Sequence, residues 1–559
     1  MKEIYLDIME KSLSAYTPQR IRDYIDEVKR ERLKEHGFPR LGSNIGILIA
    51  HGRRTDLLQT FVEIMDLCCA QMPQKRASND FSVREVCCCL MLMEEKQLVS
   101  KALLDKLKQQ LATFDPWIRY SVVDDNSGKF VANWAMFAAV SEYMRGVYCG
   151  IDTSEFVDHQ IPSQLANLDE NDMYMDDPPY HNHAVYDIVP RCLMAFLLHA
   201  GYKGKYASKM EDVLDHTADI TLKMQSVTGE LAFGGRSNQF LNNEPMLIAY
   251  FEMEATRFAK KGNPEMAGKM KAAAALAAKA TLKYLSLEPI SHIKNRYDIS
   301  TQIGCEGYGY FNKYMITVAS NVYMGFRFAD DSIAPSIAPA EEGGYVISTS
   351  DRFHRTFLSC DGYSLEWDTG ADPHYDANGL GRVHKRGCPS PLCLSVPIAR
   401  KPNYVLEGEN PSAMSICCYA EDNGRKLLGA ELYAEYTMVR SQSDAKKAEV
   451  VFDVKLSKNI KVTQTYTVSK DGVGMVLSGE ETTGFMLPVF DFDGNCETQV
   501  AIEENRICVS YENALCSYCF DGALDPDFKY YYNRNGRYRV YAVASKKLQI
   551  KLEAESCEA

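Results

Sequence analysis

No uncharged apolar run in the 559-residue sequence reaches the roughly 20 residues that a membrane-spanning helix needs. The opening stretch, Met1-Lys-Glu-Ile-Tyr-Leu-Asp7, lacks a basic segment followed by an apolar core. No secretory leader is read there, and a soluble, cytoplasmic protein is expected. A surplus of positive charge is missing too: 62 Lys and Arg against 75 Asp and Glu leave a formal net charge of −13. That excludes the broad basic face a nucleic acid or an anionic membrane calls for. An acidic sugar stays open as a partner, provided that arginines are concentrated in its pocket. A disulfide framework is lacking as well. The 18 cysteines are spread over a long chain and include the neighbours Cys68-Cys69 and Cys87-Cys88-Cys89, which cannot pair sensibly with each other. Cys516-Ser-Tyr-Cys519 has no second pair to complete a zinc site. Reduced, mostly buried thiols are expected. Asp491-Phe-Asp-Gly-Asn495 lacks the glutamate spacing of an EF-hand, and Gly307-Tyr-Gly-Tyr310 lacks the strand–glycine–helix setting of a nucleotide site. No motif demands a metal or a cofactor, although the His and Asp clusters described below have the residue types to hold an ion.

What is present is an ordinary globular balance, 46% hydrophobic and 25% charged. The length exceeds what one core usually serves, so two or more domains are expected. Up to about residue 329 the apolar spacing is helical: 57–70, 83–98, 133–144 closed by Arg145-Gly146, 245–261 with Pro245 near its start and Gly262 beyond its end, and 267–285. Short loops join many antiparallel helices, which pack as a bundle, a solenoid or a closed toroid. No fixed repeat period recurs, which counts against a regular solenoid. The proline- and glycine-rich stretch 328–344 marks a boundary near Asp330. Beyond it, 450–456, 461–468, 473–477, 530–544 and 548–552 alternate as strands. Helices first and strands afterwards predict separate layers: a helical domain over 1–330 and an antiparallel β-sandwich over 331–559.

Four polar clusters stand out. The first, Asp172-Met-Tyr-Met-Asp-Asp-Pro-Pro-Tyr-His-Asn-His-Ala-Val-Tyr-Asp187, enters a helix. Asp176 and Asp177 can serve as general acid or base, Asn182 and His183 can donate to a carboxylate, and Tyr186 or His181 can handle a proton. A loop whose acids merely cap helix ends is the plainer alternative. The second is Thr228-Gly-Glu-Leu-Ala-Phe-Gly-Gly-Arg-Ser-Asn-Gln-Phe-Leu-Asn-Asn-Glu244. Its paired glycines allow close backbone approach, and Arg236 offers the planar fork that grips a carboxylate. Ser237, Asn238 and Gln239 suit sugar hydroxyls, while Glu244 is either an electrostatic helix cap or a second catalytic carboxylate. The third joins Lys294 and Arg296 to Glu306 and Tyr308 as a cleft wall. The fourth, 372–386, holds His374, Arg382 and His384 and is read as a loop reaching across to the helical domain.

Asn133-Trp134 opening a helix that ends Glu-Tyr-Met-Arg-Gly, Met175-Asp-Asp-Pro-Pro-Tyr-His-Asn182 followed by Pro190, and Gly235-Arg-Ser237 after a Thr-Gly-Glu turn resemble a bacterial group of β-glucuronidase-type glycoside hydrolases. That group is related in architecture to heparinase-like polysaccharide lyases. The likeness runs from about Asp115 to Glu244. It implies an (α/α)6-type toroid followed by a β-sandwich, a uronic acid as substrate, and roles for Asn133, Asp176, Asn182, Arg236 and Ser237. The chain departs from the group at His183 and Asp187. Two chemistries follow. In hydrolysis, Asp176 or Asp177 protonates the leaving oxygen, and Glu244, Glu306 or a histidine activates water. In β-elimination, Asn182 and Arg236 neutralise the uronate, Tyr186, His183 or His384 removes the neighbouring proton, and a tyrosine protonates the leaving group. A non-catalytic glycan-binding protein is the third reading. The many apolar helices allow a homo-oligomer.

Overall fold

The computed structural model describes residues 1–122, 133–176, 184–479 and 483–554. Among the described residues, fourteen α-helices precede residue 329, and eighteen strands follow from Tyr345. Six of the helices, Gly37–Ala50, Asn79–Glu95, Trp134–Cys149, Ala184–His199, Asn243–Lys260 and Phe311–Phe328, form an inner ring. Each packs on the next, and Phe311–Phe328 closes the circle against Gly37–Ala50. The outer helices lie between them in chain order, which is the construction of an (α/α)6 toroid.

Burial patterns explain who sits where. The Gly37–Ala50 helix is buried everywhere except at its last residue, and Asn243–Lys260 is buried without a break from Asn243 to Phe258. A helix that is apolar all round has to be enclosed. The outer Lys101–Ala112 helix buries only Leu104, Leu107 and Leu111, a single stripe. Gly42 and Gly46 let neighbours come close: a Cβ at Gly46 would lie 2.4 Å from Phe61 and 2.5 Å from Cys89. The helix expected to end at Arg145-Gly146 runs on to Cys149 and is capped by Gly150 at φ 71°. Gly146 serves packing instead, because a Cβ there would meet Thr153 at 2.5 Å.

Every strand pairing among the described residues is antiparallel. Sheets of eight and six strands share one core containing Phe452, Val462, Tyr466, Phe485 and Leu487. A four-stranded sheet, Tyr345–Ser348, Arg355–Cys360, Tyr363–Asp368 and Gly379–Lys385, sits between that sandwich and the toroid. Its two middle strands are buried at every residue, as a sheet covered on both faces must be. Phe357 packs with Met173, Met175 and Met224 on the helical side, while Leu358 joins the sandwich core.

Two sequence expectations are corrected here. The stretch 372–386 is not one loop, since Gly379–Lys385 is the fourth strand of this sheet. The stretch 530–544 is not one strand; it divides into Lys529–Tyr532 and Arg537–Ala544 around Asn533-Arg-Asn-Gly536. Turn chemistry overrode alternation there. The described cysteines are free thiols, and no described helix is long and apolar enough to cross a membrane.

Candidate functional site

The six inner helices all start at the same end of the toroid, and their first turns enclose a cavity of about 290 Å³. His36 and Arg40, Ser78 and Phe81, Asn133 and Trp134, Val185 and Tyr186, Asn242 and Met246, and Lys313 and Tyr314 come one pair from each helix. Arg236, Ser237 and Tyr308 complete the wall. Each helix N-terminus presents about half a positive charge. Together with Arg40, Arg236 and Lys313 they make an anion-attracting pocket in a protein of net charge −13.

The segment 233–239, which gives Arg236 and Ser237 to the wall, is held in an unusual shape. Gly234 and Gly235 have φ of 134° and 73°, and Ser237 and Gln239 have φ of 55° and 66°. Non-glycine residues adopt such angles at a cost, so the surroundings must impose them. They do so through backbone N–H groups donating to buried carboxylates. Phe233 donates to Glu366 (3.0 Å), Gly235 to Asp376 (3.0 Å) and Ser237 to Glu306 (2.7 Å). Arg534 of the sandwich donates to Glu306 at 2.6 Å and to the Gly304 carbonyl at 2.6 Å. Phe233 itself lies between the guanidinium groups of Arg355 and Arg382, at 4.6 and 5.7 Å from its ring. The four-stranded sheet, together with Asp376, Glu306 and Arg534, therefore supplies a charged bed for the loop.

Arg236 projects from this loop, pairs with Asp176, and stacks 4.9 Å from the Tyr186 ring. Asp176 also accepts from the Asn133 amide, at 2.7 Å from its side chain and 3.2 Å from its backbone. Burial pushes the Asp176 carboxyl up to about 6, against the opposing pull of Arg236 and Asn133. Hydroxyl oxygens form a line from Tyr186 to Ser237 (2.9 Å) and from Ser237 to Tyr308 (3.0 Å). Burial raises both phenols above their ordinary value, and at Tyr186 the Arg236 cation works against that rise.

The raised Asp176 carboxyl has a stability consequence. A proton binds it more tightly in the folded chain than in the unfolded one, where its value is near 3.8. Its contribution is therefore most favourable below pH 4 and is lost as pH rises to 6, by about 3 kcal/mol in all. Relative to the wild type, Asp176→Asn is expected to gain stability as pH rises from about 4 to 7. Urea unfolding midpoints of the two proteins across that range test it, and a constant difference would show that Asp176 does not titrate there.

The other sequence-predicted residues divide sharply. Asp177, His181, Asn182 and His183 lie outside the described residues. Asn238 and Gln239 turn inward: Asn238 donates to the Ala232 carbonyl (3.2 Å), and Gln239 donates to Asn238 (3.1 Å) and accepts from Asn535 (3.2 Å). Glu244 accepts from Lys294 at 2.8 Å and from the Leu231 N–H at 3.2 Å. Lys294 also faces Glu230 at 3.4 Å, and all three side chains are buried away from the cavity. Burial raises Glu244, and Lys294 opposes it. Its contacts do not describe the expected catalytic role, but Glu244 does sit in the first turn of the Asn243–Lys260 helix, where the expected electrostatic cap belongs. Arg296 pairs with Asp493 (3.5 Å) and Glu512 (3.7 Å) of the sandwich. His374 is exposed beside the Lys401 carbonyl at 3.1 Å.

Arg382 and His384 do not reach the cavity. Arg382 donates to the carbonyls of Ser395 (2.9 Å) and Leu231 (2.8 Å). His384 lies 2.7 Å from Ser226 and 2.9 Å from Ser395, and burial pushes its pKa well down. Both are spent on joining strand to toroid. Sequence reasoning missed the cavity residues His36, Arg40 and Lys313 and the anchors Arg355, Asp376 and Arg534. The four-residue spacing of His36 and Arg40 at a helix start was the one available signal. Among the described residues no three His, Cys, Asp or Glu side chains converge as a metal group.

No protein-family model matches the chain, and neither does any curated protein. Solved structures do resemble it in shape. A heparinase III has a TM-score of 0.48 at 9% identity, over 93% of this chain and 76% of its own. A chondroitin AC lyase from Streptomyces coelicolor A3 has 0.48 at 10% identity, over 99% of this chain and 78% of its own. A glycosyl hydrolase family 88 protein from Bacteroides vulgatus has 0.36 at 10% identity, over 59% of this chain and 99% of its own.

Proposed function

We propose that this protein cleaves the glycosidic bond next to a uronic acid by β-elimination, with Arg236 holding the carboxylate and Tyr186 and Tyr308 moving protons. One observation carries the reading. Among the described residues the cavity is walled by tyrosine hydroxyls, two arginines, a lysine, a histidine and helix N-termini, with no aspartate or glutamate. Hydrolysis by two carboxylates needs both of them facing the bond, roughly 5 to 10 Å apart. Asp176, Glu306 and Glu244 are instead each engaged by a cation, Arg236, Arg534 and Lys294 respectively. Elimination has different needs, and this wall meets them. The Arg236 fork and the helix dipoles offset the uronate charge and so acidify the C–H beside it. Tyr186, as phenolate under the Arg236 cation, takes that proton. The C4–O bond breaks as a C4–C5 double bond forms, and Tyr308 gives its proton to the departing oxygen.

The hydrolytic, β-glucuronidase-type reading keeps one observation of its own, the Asp176 carboxyl at about 6, able to carry a proton to a leaving oxygen. Incubation with a p-nitrophenyl β-glucuronide and with a uronate-containing oligosaccharide separates the two. Ultraviolet absorbance from an unsaturated uronate supports elimination, whereas nitrophenol with a saturated uronic acid sinks it. The pH profile is a second check. Elimination by a phenolate is expected to gain rate above pH 6, whereas an Asp176 acid would lose it there. Neither product from any uronide would leave a glycan-binding protein.

Tyr186→Phe is expected to lower kcat about 10²- to 10⁴-fold while KM moves by only a few-fold, because the ring stays and only the proton-transferring oxygen goes. Steady-state kinetics on one defined oligosaccharide check it. A loss confined to KM would move the base elsewhere.

A further inference from the structure

We infer that the cavity takes a ligand bearing two oxyanions, the second seated on Lys313 and His36 across the cavity from Arg236; this rests on the uronate reading above. The cations of the cavity are unequally paired. Arg236 is matched by Asp176, and Arg40 by Glu85 at 3.0 Å. Lys313 lines the same cavity, half-buried, with its Nζ 5.6 Å from the Tyr314 ring. Among the described residues no carboxylate comes within ion-pair distance of it. Its nearest acid in electrostatic terms is Glu35, which accepts from Tyr24 and from the Gly37 N–H. A half-buried ammonium without a partner is costly, and burial accordingly lowers the Lys313 pKa. An arriving oxyanion removes that cost.

His36 adds a donor of fixed direction. It is 3% exposed and lines the cavity. The Arg40 guanidinium lies 2.9 Å from its Nδ1. A guanidinium only donates, so Nδ1 accepts, and the neutral ring carries its proton on Nε2. The ring is clasped by Phe81 at 5.0 Å and Tyr314 at 6.2 Å. No acceptor among the described residues takes the Nε2–H. The Nε2–H is therefore left to the cavity that the ring lines, whose wall also holds the Lys313 ammonium. Tyr314 links the two sides of the cavity, its ring 6.2 Å from that of His36 and 6.1 Å from that of Tyr308.

The chemistry recognised at this second seat is that of a sulfate ester or a second carboxylate, carried on the sugar next to the bound uronate. The test uses three matched uronate oligosaccharides whose neighbouring unit is neutral, sulfated or carboxylated. Wild-type kcat/KM is expected to be at least tenfold higher for one or both of the doubly charged chains than for the neutral-neighbour chain, and the two arms identify which group is preferred. Lys313→Met, which keeps the length of the side chain, is expected to cut that preference ratio about tenfold, and Lys313→Arg to restore most of it. Equal rates on all three chains, or an unchanged ratio in Lys313→Met, would overturn the second seat while leaving uronate cleavage standing. If none of the three is cut or bound, the uronate reading itself fails and this inference falls with it.

Discussion

Arg236→Ala is expected to lower kcat/KM on uronate substrates about 10³-fold, which is about 4 kcal/mol of lost transition-state stabilisation. Two effects add. The substrate carboxylate loses its planar, two-pronged donor. In addition Asp176, whose side chain has no exposure, loses the cation that offsets its burial, so it holds its proton to higher pH and the first turn of the Trp134 helix loses a charged anchor. Arg236→Lys is expected to recover little, because an ammonium cannot reproduce the fork or the stacking on Tyr186. The double variant Arg236→Ala with Asp176→Asn separates the two effects: it should regain stability without regaining activity. Kinetics on a defined uronide, run beside thermal unfolding, decide the matter. Full activity in Arg236→Ala would place carboxylate recognition elsewhere.

The largest stability effect is expected at Arg355. This buried guanidinium faces Asp368 at 2.9 Å, Asp376 at 3.3 Å and Glu366 at 3.9 Å while stacking on Phe233. Arg355→Met keeps the apolar stem and removes the cation that three buried carboxylates share, leaving Glu366 to Arg382 and Asp368 to His354, a change that costs on the order of 3–5 kcal/mol. The sign with pH follows from the acids. Burial already pushes Glu366 up to about 7 and Asp376 to about 6 against the pull of Arg355. Without the arginine they rise further, so the variant is destabilised most where they must ionise. The loss should be larger at pH 8 than at pH 5, and urea unfolding midpoints at the two values test this. Activity should fall with it, because Asp376 holds the Gly235 N–H and Glu366 the Phe233 N–H of the loop that aims Arg236. A midpoint unchanged at pH 8 would show that this network is not what holds the loop.

Much of the architecture was legible because burial leaves a period in the chain. The all-round apolar inner helices, the striped outer ones and the change of period after residue 329 are local properties. The Gly-Gly-Arg-Ser stretch was legible for a similar reason, since paired glycines signal backbone that other residues rarely adopt, and both have positive φ in the fold. The glycine in Arg145-Gly146 misled because a small residue also serves close packing, and only the position of Thr153 distinguishes the two uses. Likewise 372–386 looked like a polar loop because Arg382 and His384 are charged or titratable. They are polar because a second domain, rather than water, covers their strand.

By itself, then, the sequence determined the two layers, their helical and strand character, and the loop that carries Arg236. Which polar residues face the cavity was decided only by tertiary structure. Glu244, Lys294, Arg382 and His384 have the composition of an active site, yet they are buried in pairs and joints behind it. Lys313 and His36, which no sequence cluster singled out, line it. The reason is range. Periodicity reports which residues share a face of one element, whereas an ion pair such as Arg534 with Glu306 joins positions 228 residues apart. A charge becomes a structural tie when such a partner arrives, and stays available to a ligand when none does.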